Sequence, residues 1–174
     1  MSPITRRLTL AGAGALAAGL GIGLGWQRWR PAPPDSAAAQ ALWASTLPNV
    51  DGVATPLSGW RGQPTLVNFW ATWCPPCVEE MPMLDGFYQQ HVDRCHIIGI
   101  AIDQPEAVKK FLLKHPVRYP ILMAGSAGLG LTRTLGNEGG GLPFSVFSNA
   151  SGDITHNKVG KLQAQDLSSW LQPT

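Results

Sequence analysis

The sequence is poor in the residues that build metal centres. Only three cysteines occur in 174 residues, Cys74 and Cys77 as a pair and Cys95 alone, and the four histidines show no ligand spacing. A structural zinc site needs four ligands, usually from two cysteine pairs. A c-type haem needs a histidine directly after the second cysteine, where Val78 stands. The sequence therefore predicts no metal site, no haem and no cofactor.

The chain also lacks the basic surface that nucleic acids bind. Its net charge is +2, but four of its 13 basic residues and only one of its 11 acidic residues precede residue 40. The remaining nine basic and ten acidic residues leave the rest of the chain nearly neutral. We expect no nucleic-acid partner, since the excess of positive charge belongs to the N-terminal segment.

Long hydrophobic runs are absent except for Leu8 to Gly25, an uncharged stretch preceded by Arg6-Arg7. Its 18 residues reach the lower limit for a membrane-spanning helix. Two alternatives stay open: a signal-anchor, which Trp26 and Trp29 would suit as interface residues, or an export signal cleaved near Ala37-Ala38-Ala39. Either predicts an exported domain, anchored on the periplasmic side of the inner membrane or soluble in the periplasm.

The remaining chain is expected to form one domain. Residues 1–30 are predicted as the signal-anchor or export signal, and 31–46 as a linker whose start, Pro31 to Ala39, has polyproline character. Residues 47–174 then form a single domain of ordinary size, without internal repeats.

The pattern of the domain predicts a mixed sheet with helices on both faces, and thus an α/β fold. Its predicted strands and hairpin are Thr65–Trp70, Cys95–Ile102, Tyr119–Met123 and Pro143–Ser148 with Ile154–Val159. The predicted helices are Pro75–His91, one from a cap at Asp103 to about Lys114, Ser126–Leu135 and Gln163–Leu171. Leu57 to Trp60 is expected to make a helical turn.

The sequence Trp73-Cys74-Pro75-Pro76-Cys77 stands where the first strand enters a helix. The three-residue step places both sulfurs on one helical turn, close enough to bond. The positive end of the helix favours the thiolate that performs disulfide exchange. A purely structural disulfide is the alternative, but so short a loop contributes little stabilisation. The motif therefore predicts a redox-active dithiol. Cys74, which is expected to lie at the exposed edge of the helix, attacks, and Cys77, one turn further in, resolves the mixed disulfide.

The domain resembles the membrane-anchored, thioredoxin-like proteins of the TlpA/ResA group. The resemblance is carried by Leu66 to Pro82, by Leu47-Pro48 with Asp51-Gly52, by Gly141-Leu142-Pro143 and by the turn Ser151-Gly152-Asp153. It implies a thioredoxin fold and the activity of a thiol:disulfide oxidoreductase that acts on protein thiols and disulfides.

The resemblance also implies roles for single residues. Pro143 is expected to be cis, with the backbone of Leu142 pairing with a bound substrate; the alternative is an ordinary trans proline in a turn. Trp73, Pro75 and Pro76 are expected to border the substrate, the alternative for Trp73 being an aromatic residue of the core. Glu80, three residues after Cys77, matches the group's acid-base carboxylate; the alternative is an exposed acid at a helix N-terminus. Asn68 stands where thioredoxins carry a buried aspartate.

The glycine-rich loop Gly136 to Gly141 is expected to be loose, and Cys95 to be a buried, inert thiol. Because two prolines supply no N–H to the Cys74 thiolate and Glu80 opposes it, the pair is expected to act as a reductant. The group further implies a membrane thiol-disulfide carrier as electron donor and a role in cytochrome c maturation or metal-site assembly. We expect a monomer.

Two other functions remain open on the same scaffold. A thiol peroxidase would resemble proteins with threonine three residues before the reactive cysteine, where this chain has Ala71. A copper-handling chaperone would use a wider cysteine spacing than this one.

Overall fold

The apolar run Thr65–Trp70 is buried along its whole length and forms the central strand of the protein. The computed structural model describes residues 36–172, and the predicted leader 1–30 lies outside them. The strands are β1 (Thr46–Pro48), β2 (Ala54–Pro56), β3 (Thr65–Trp70), β4 (His96–Ala101), β5 (Ile121–Met123), β6 (Phe144–Ser148) and β7 (Ile154–Val159). The helices are α1 (Ala37–Ala44), α2 (Pro75–His91), α3 (Pro105–Leu112), α4 (Gly128–Thr134) and α5 (Ala164–Trp170). Short 3₁₀ helices occupy Leu57–Trp60, as predicted, and Gly125–Ala127.

Five strands form the main sheet in the order β5-β4-β3-β6-β7, and β1 pairs with β2 in a separate antiparallel hairpin. Strand β3 runs parallel to β4 and antiparallel to β6. Because of these directions, the carboxyl ends of β3 and β4 and the start of β6 meet at one edge of the sheet. The segments that follow β3 and precede β6 are therefore brought together.

Alternation along β3 sends side chains to both faces of the sheet. Leu66 and Trp70 pack on one face with residues of α2, α3 and α5. Val67 and Phe69 pack on the other face with residues of α1 and α4. The predicted mixed sheet with helices on both faces is confirmed.

The N-terminal boundary of the folded part differs from the sequence prediction. The sequence predicts a linker over residues 37–44, but they form α1, which Ser36 caps by accepting from the Ala39 N–H at 3.2 Å. Leu42 is fully buried, and the Trp43 indole donates to the Gly152 carbonyl at 2.7 Å. The alanines of this segment favour helix, and two large apolar side chains gain burial by docking on the sheet.

The other helix and strand boundaries lie closer to the predicted ones. The predicted helix Ser126–Leu135 begins as the 3₁₀ turn Gly125–Ala127 before α4. Within residues 36–172, no helix is both long enough and apolar enough to cross a bilayer.

Truncation of Leu42 tests whether α1 is an integral part of the fold. We expect Leu42→Ala to lower the free energy of unfolding by about 3 kcal/mol, because it leaves a cavity in a fully buried site. Leu113→Ala is the matched control, since Leu113 is 86% exposed, and should change little. Urea unfolding measures both; equal, small effects would mean that α1 does not stabilise the domain.

Candidate active site

The cysteine pair lies where β3 leads into α2. Cys74 and Cys77 form a disulfide with an S–S distance of 2.03 Å and a Cα–Cα distance of 5.3 Å. Cys77 is fully buried and Cys74 is only 5% exposed, which differs from the expectation that Cys74 lies at an exposed edge. Trp73 is 65% exposed, and Pro75 and Pro76 are also exposed, so the surface around the disulfide is apolar.

The start of α2 offers few hydrogen-bond donors to a Cys74 thiolate. The helix begins with Pro75 and Pro76, which have no N–H. The next two amides, of Cys77 and Val78, both donate to the Cys74 carbonyl at 3.0 and 3.2 Å. The backbone donors that elsewhere make a helix start favourable to anions are therefore missing or already used.

Asp103 fixes the loop before the cysteines. It was predicted as the cap of α3, but the cap position is Gln104. Its Oδ2 instead accepts from the backbone N–H and the hydroxyl of Thr72 at 2.9 and 2.6 Å. The sequence carried a signal for this contact, since the carboxyl ends of adjacent parallel strands share one edge of the sheet.

The Leu142–Pro143 peptide bond is cis, which confirms the prediction for Pro143. Pro143 is buried and Leu142 half-buried directly before β6, at the sheet edge where β3 ends. The Pro143 carbonyl accepts from the Gly160 N–H at 2.7 Å.

The glycine-rich segment before Pro143 is tied down rather than loose. Asn137 is only 2% exposed, and its side-chain amide donates to the Gly141 carbonyl at 2.8 Å. Its backbone N–H donates to Thr132, and its carbonyl accepts from Gly140. One buried asparagine thus compensates for the freedom of the surrounding glycines.

Glu80 lies on the inner side of α2, one turn after Cys77, and is fully buried. Its Oε1 accepts from the Asn68 side-chain amide at 2.8 Å, and its Oε2 accepts from the Leu162 N–H at 2.7 Å. This burial excludes the alternative of an exposed acid at the helix start. The sequence singled out Asn68 but gave no sign of Leu162, which follows β7.

Burial raises the pKa of Glu80 above its ordinary value, because desolvation disfavours the carboxylate. The hydrogen bonds from Leu162 and Asn68 oppose this effect, as do the charges of Lys161 and Lys158. Lys161 is itself held near α2 by an exposed ion pair with Glu79 at 2.9 Å. A buried carboxyl whose pKa is raised, one helical turn after Cys77, is suited to exchange a proton with the dithiol.

The face of the sheet below α2 carries further buried polar groups. Asn68 Oδ1, Trp70 Nε1 and the Tyr119 hydroxyl are buried without a hydrogen-bond partner among the described residues. Burial, with the charges of Glu80 and Asp85, raises the pKa of Tyr119, so this phenol is neutral.

Cys95 is a buried free thiol, as predicted. It is 1% exposed, and its Sγ–H donates to the His96 carbonyl at 3.3 Å. Burial raises its pKa to about 11, so the reactive thiolate is scarce at neutral pH. Across the described part of the chain, no three His, Cys, Asp or Glu side chains come together as metal ligands.

Comparison with known proteins places this geometry among thiol-disulfide enzymes. The model of the AhpC/TSA family matches residues 38–157. Relatives include sporulation thiol-disulfide oxidoreductase A of Bacillus subtilis, 27% identical over 64% of this chain and 68% of its own length. Another is thiol-disulfide oxidoreductase ResA of Bacillus cereus, 28% identical over 71% of this chain and 70% of its own.

Solved structures agree. A thioredoxin-related protein of Neisseria meningitidis serogroup B superimposes with a TM-score of 0.65 at 31% identity, over 72% of this chain and 95% of that one. A thiol:disulfide interchange protein of the thioredoxin family from Chlorobium tepidum gives 0.62 at 30% identity, over 74% and 93%. The thioredoxin fold expected from the sequence is confirmed.

The pH dependence of stability tests the burial of Glu80. A raised pKa means that the folded state binds the proton more tightly than the unfolded state. Relative to Glu80→Gln, the free energy of unfolding of the parent should therefore fall as pH rises from about 4.3, the ordinary glutamate value, through the raised pKa. Above that pKa the difference should be constant. Urea unfolding across pH measures it.

The matched control is Glu79→Gln, which removes the neighbouring carboxylate, whose side chain is 62% exposed. Relative to Glu79→Gln, the free energy of unfolding of the parent should show no such fall, because both proteins retain Glu80. The same pH dependence relative to either variant would contradict a buried, proton-binding Glu80.

Proposed function

Because the chain belongs to the AhpC/TSA family, we propose that it is a thiol-disulfide oxidoreductase that reduces disulfides of exported proteins through Cys74 and Cys77. One observation carries this proposal: the two sulfurs lie within bonding distance at the start of α2, with the buried Glu80 carboxyl one turn further on. Its relatives in Bacillus subtilis and Bacillus cereus bear the name of that activity.

The reaction starts from the reduced pair. The Cys74 thiolate attacks one sulfur of a substrate disulfide, which forms a mixed disulfide and releases the other substrate sulfur as a thiolate. Cys77 loses its proton and attacks Cys74 Sγ, so that the Cys74–Cys77 disulfide forms and the second substrate thiolate leaves. The substrate gains the two electrons that the pair loses, and its two thiolates take up protons from the solvent.

Glu80 is the acid-base group of this cycle. Cys77 and Glu80 are both buried on one face of α2, three residues apart, a spacing at which helical side chains are neighbours. Glu80 accepts the proton that Cys77 must lose and returns it when the pair is reduced again. No bound cofactor is needed, because the electrons travel in the sulfur–sulfur bonds.

The apolar surface around Cys74 receives the substrate. Trp73, Pro75 and Pro76 border the disulfide, and an extended substrate segment pairs with the backbone of Leu142, which precedes the cis Pro143. Supporting this, the start of β6 and the end of β3 meet at one sheet edge.

The pair acts as a reductant. The two prolines and the two occupied amides at the start of α2 leave the Cys74 thiolate with few donors. Strong oxidants of this fold owe their high reduction potential to a stabilised thiolate.

The partners and location complete the proposal. A membrane thiol-disulfide carrier re-reduces the pair, and the chain acts as a monomer outside the cytoplasm. Its substrates belong to cytochrome c maturation or metal-site assembly.

A trapping experiment tests the activity and names the substrate. In Cys77→Ser the mixed disulfide on Cys74 cannot be resolved, so substrate proteins should stay covalently attached until a thiol reductant is added. Mass spectrometry of the captured proteins identifies them. Cys95→Ser in the same background is the matched control, and it should trap equally well because Cys95 is buried.

Trapping that survives loss of Cys74 would contradict the proposal. Turnover of hydrogen peroxide by Cys74 in the absence of Cys77 would favour a thiol peroxidase instead. Against that function, the Thr72 hydroxyl is engaged by Asp103 at 2.6 Å.

Equilibration with graded redox buffers tests the direction. We expect a reduction potential nearer to the roughly −270 mV of thioredoxin than to the roughly −120 mV of strongly oxidising periplasmic proteins. Pro76→Arg should raise it, since a cation beside Cys74 stabilises the thiolate. A parent potential at the oxidising end would show that the protein forms disulfides instead of reducing them.

A further inference from the structure

Asn68 is hydrogen-bonded directly to Glu80, so a change in the protonation of Glu80 alters the hydrogen bonding of Asn68. It lies in the middle of β3, aligned with Gly99 of β4 and Ser145 of β6, and it is fully buried. Its Nδ2 donates one hydrogen to Glu80 Oε1 at 2.8 Å and the other to Ser145 Oγ at 3.0 Å. Its Oδ1 has no donor within residues 36–172.

This arrangement fits the ionised form of Glu80. A carboxylate only accepts hydrogen bonds, and here each oxygen accepts one, from Asn68 and from Leu162. When Glu80 gains a proton, its new O–H requires an acceptor. The Leu162 N–H cannot accept, and neither can the Nδ2 of Asn68. The present orientation of the amide therefore opposes protonation.

A rotation of the amide would remove this conflict. Turning the Asn68 side chain by about 180° about its Cβ–Cγ bond exchanges oxygen and nitrogen, which are nearly identical in size. Oδ1, now without a partner, would then accept from the protonated Glu80. Ser145 is satisfied in both orientations, because a hydroxyl both accepts and donates.

We propose that Asn68 is a positioning residue whose side-chain amide rotates when Glu80 takes up a proton, so that one side chain stabilises both protonation states. The proposal rests on the proposed function, in which Glu80 gains and loses a proton in each cycle. A fixed donor would serve only the carboxylate. An aspartate at this position would compete with Glu80 for the proton.

The charged and titratable groups around Glu80 keep their places during this rotation. Two of the cations are already paired, Lys161 with Glu79 at 2.9 Å and Lys158 with Asp166 at 2.6 Å. Tyr119, whose pKa the charge of Glu80 helps to raise, is neutral, and Cys77 precedes Glu80 on α2. Among these neighbours, Asn68 is the side chain that is hydrogen-bonded to a Glu80 oxygen.

Nuclear magnetic resonance of the full protein with labelled asparagine side chains tests the rotation. In the parent, the Asn68 Nδ2 and Hδ2 resonances should move between two positions as Glu80 titrates, and the Hδ2 contact to Ser145 should weaken at low pH. Asn68→Leu assigns the signal. Asn137 is the internal control, since its buried amide donates to a carbonyl that does not titrate.

Glu80→Gln holds the neighbour in the protonated pattern. Its oxygen must accept from Leu162, so its amide nitrogen faces Asn68 as a permanent donor. We expect the Asn68 resonances of this variant to match the low-pH position of the parent at every pH. A match to the high-pH position, or an Asn68 signal that ignores the titration of Glu80, would overturn the proposal. If Glu80→Gln does not fold, the parent titration alone decides.

A kinetic arm separates this inference from the proposed function. Asn68→Asp should move the pH profile for reduction of a disulfide-containing peptide to higher pH, because a second acid opposes ionisation of Glu80. Asn157→Asp makes the same change on the exposed strand β7 and should leave the profile of the parent unchanged. A profile that is the same in both variants overturns the positioning role. A parent that reduces no disulfide overturns the proposed function, while the resonances still decide the rotation.

Discussion

The active site is organised by the need to keep one carboxyl group, that of Glu80, inside the protein. A buried carboxylate is costly unless donors replace the water it loses. Three segments meet to satisfy this requirement: β3 supplies Asn68, α2 carries the acid, and the loop after β7, 82 residues beyond Glu80, supplies the Leu162 N–H. The helix that bears the cysteines is thereby fixed to the sheet from two directions.

The short segment after β7 joins two parts of the site that the sequence presents separately. Its Gly160 N–H binds the Pro143 carbonyl at 2.7 Å, and its Leu162 N–H binds Glu80 at the same distance. The loop that precedes β6 and the acid below the cysteines therefore share one support. A displacement of this segment would therefore disturb the hydrogen bonds of both Pro143 and Glu80.

The sequence predicts those features of the fold that are determined by residues close together in the chain. The apolar run of β3, the helix after Cys74 and the cis bond at Pro143 follow from composition, spacing and family resemblance. The contacts that needed distant partners were missed. Asp103 looks like a helix cap in sequence and instead binds Thr72, 31 residues away. The sequence predicts a linker in place of helix α1, because the burial of this helix depends on the sheet and on a turn 109 residues downstream.

The burial of Cys95 has a consequence for how the chain matures. Before folding, all three thiols are accessible, and an oxidising compartment can join any two of them. The native fold hides Cys95 at the start of β4, away from solvent, and leaves the other two as neighbours. Docking of β4 on β3 thus also removes the Cys95 thiol from the reach of oxidants in solution. A chain in which Cys95 is joined to Cys74 or Cys77 before this docking carries a crosslink that the native fold cannot accommodate, because Cys95 precedes β4 whereas the pair follows the parallel strand β3.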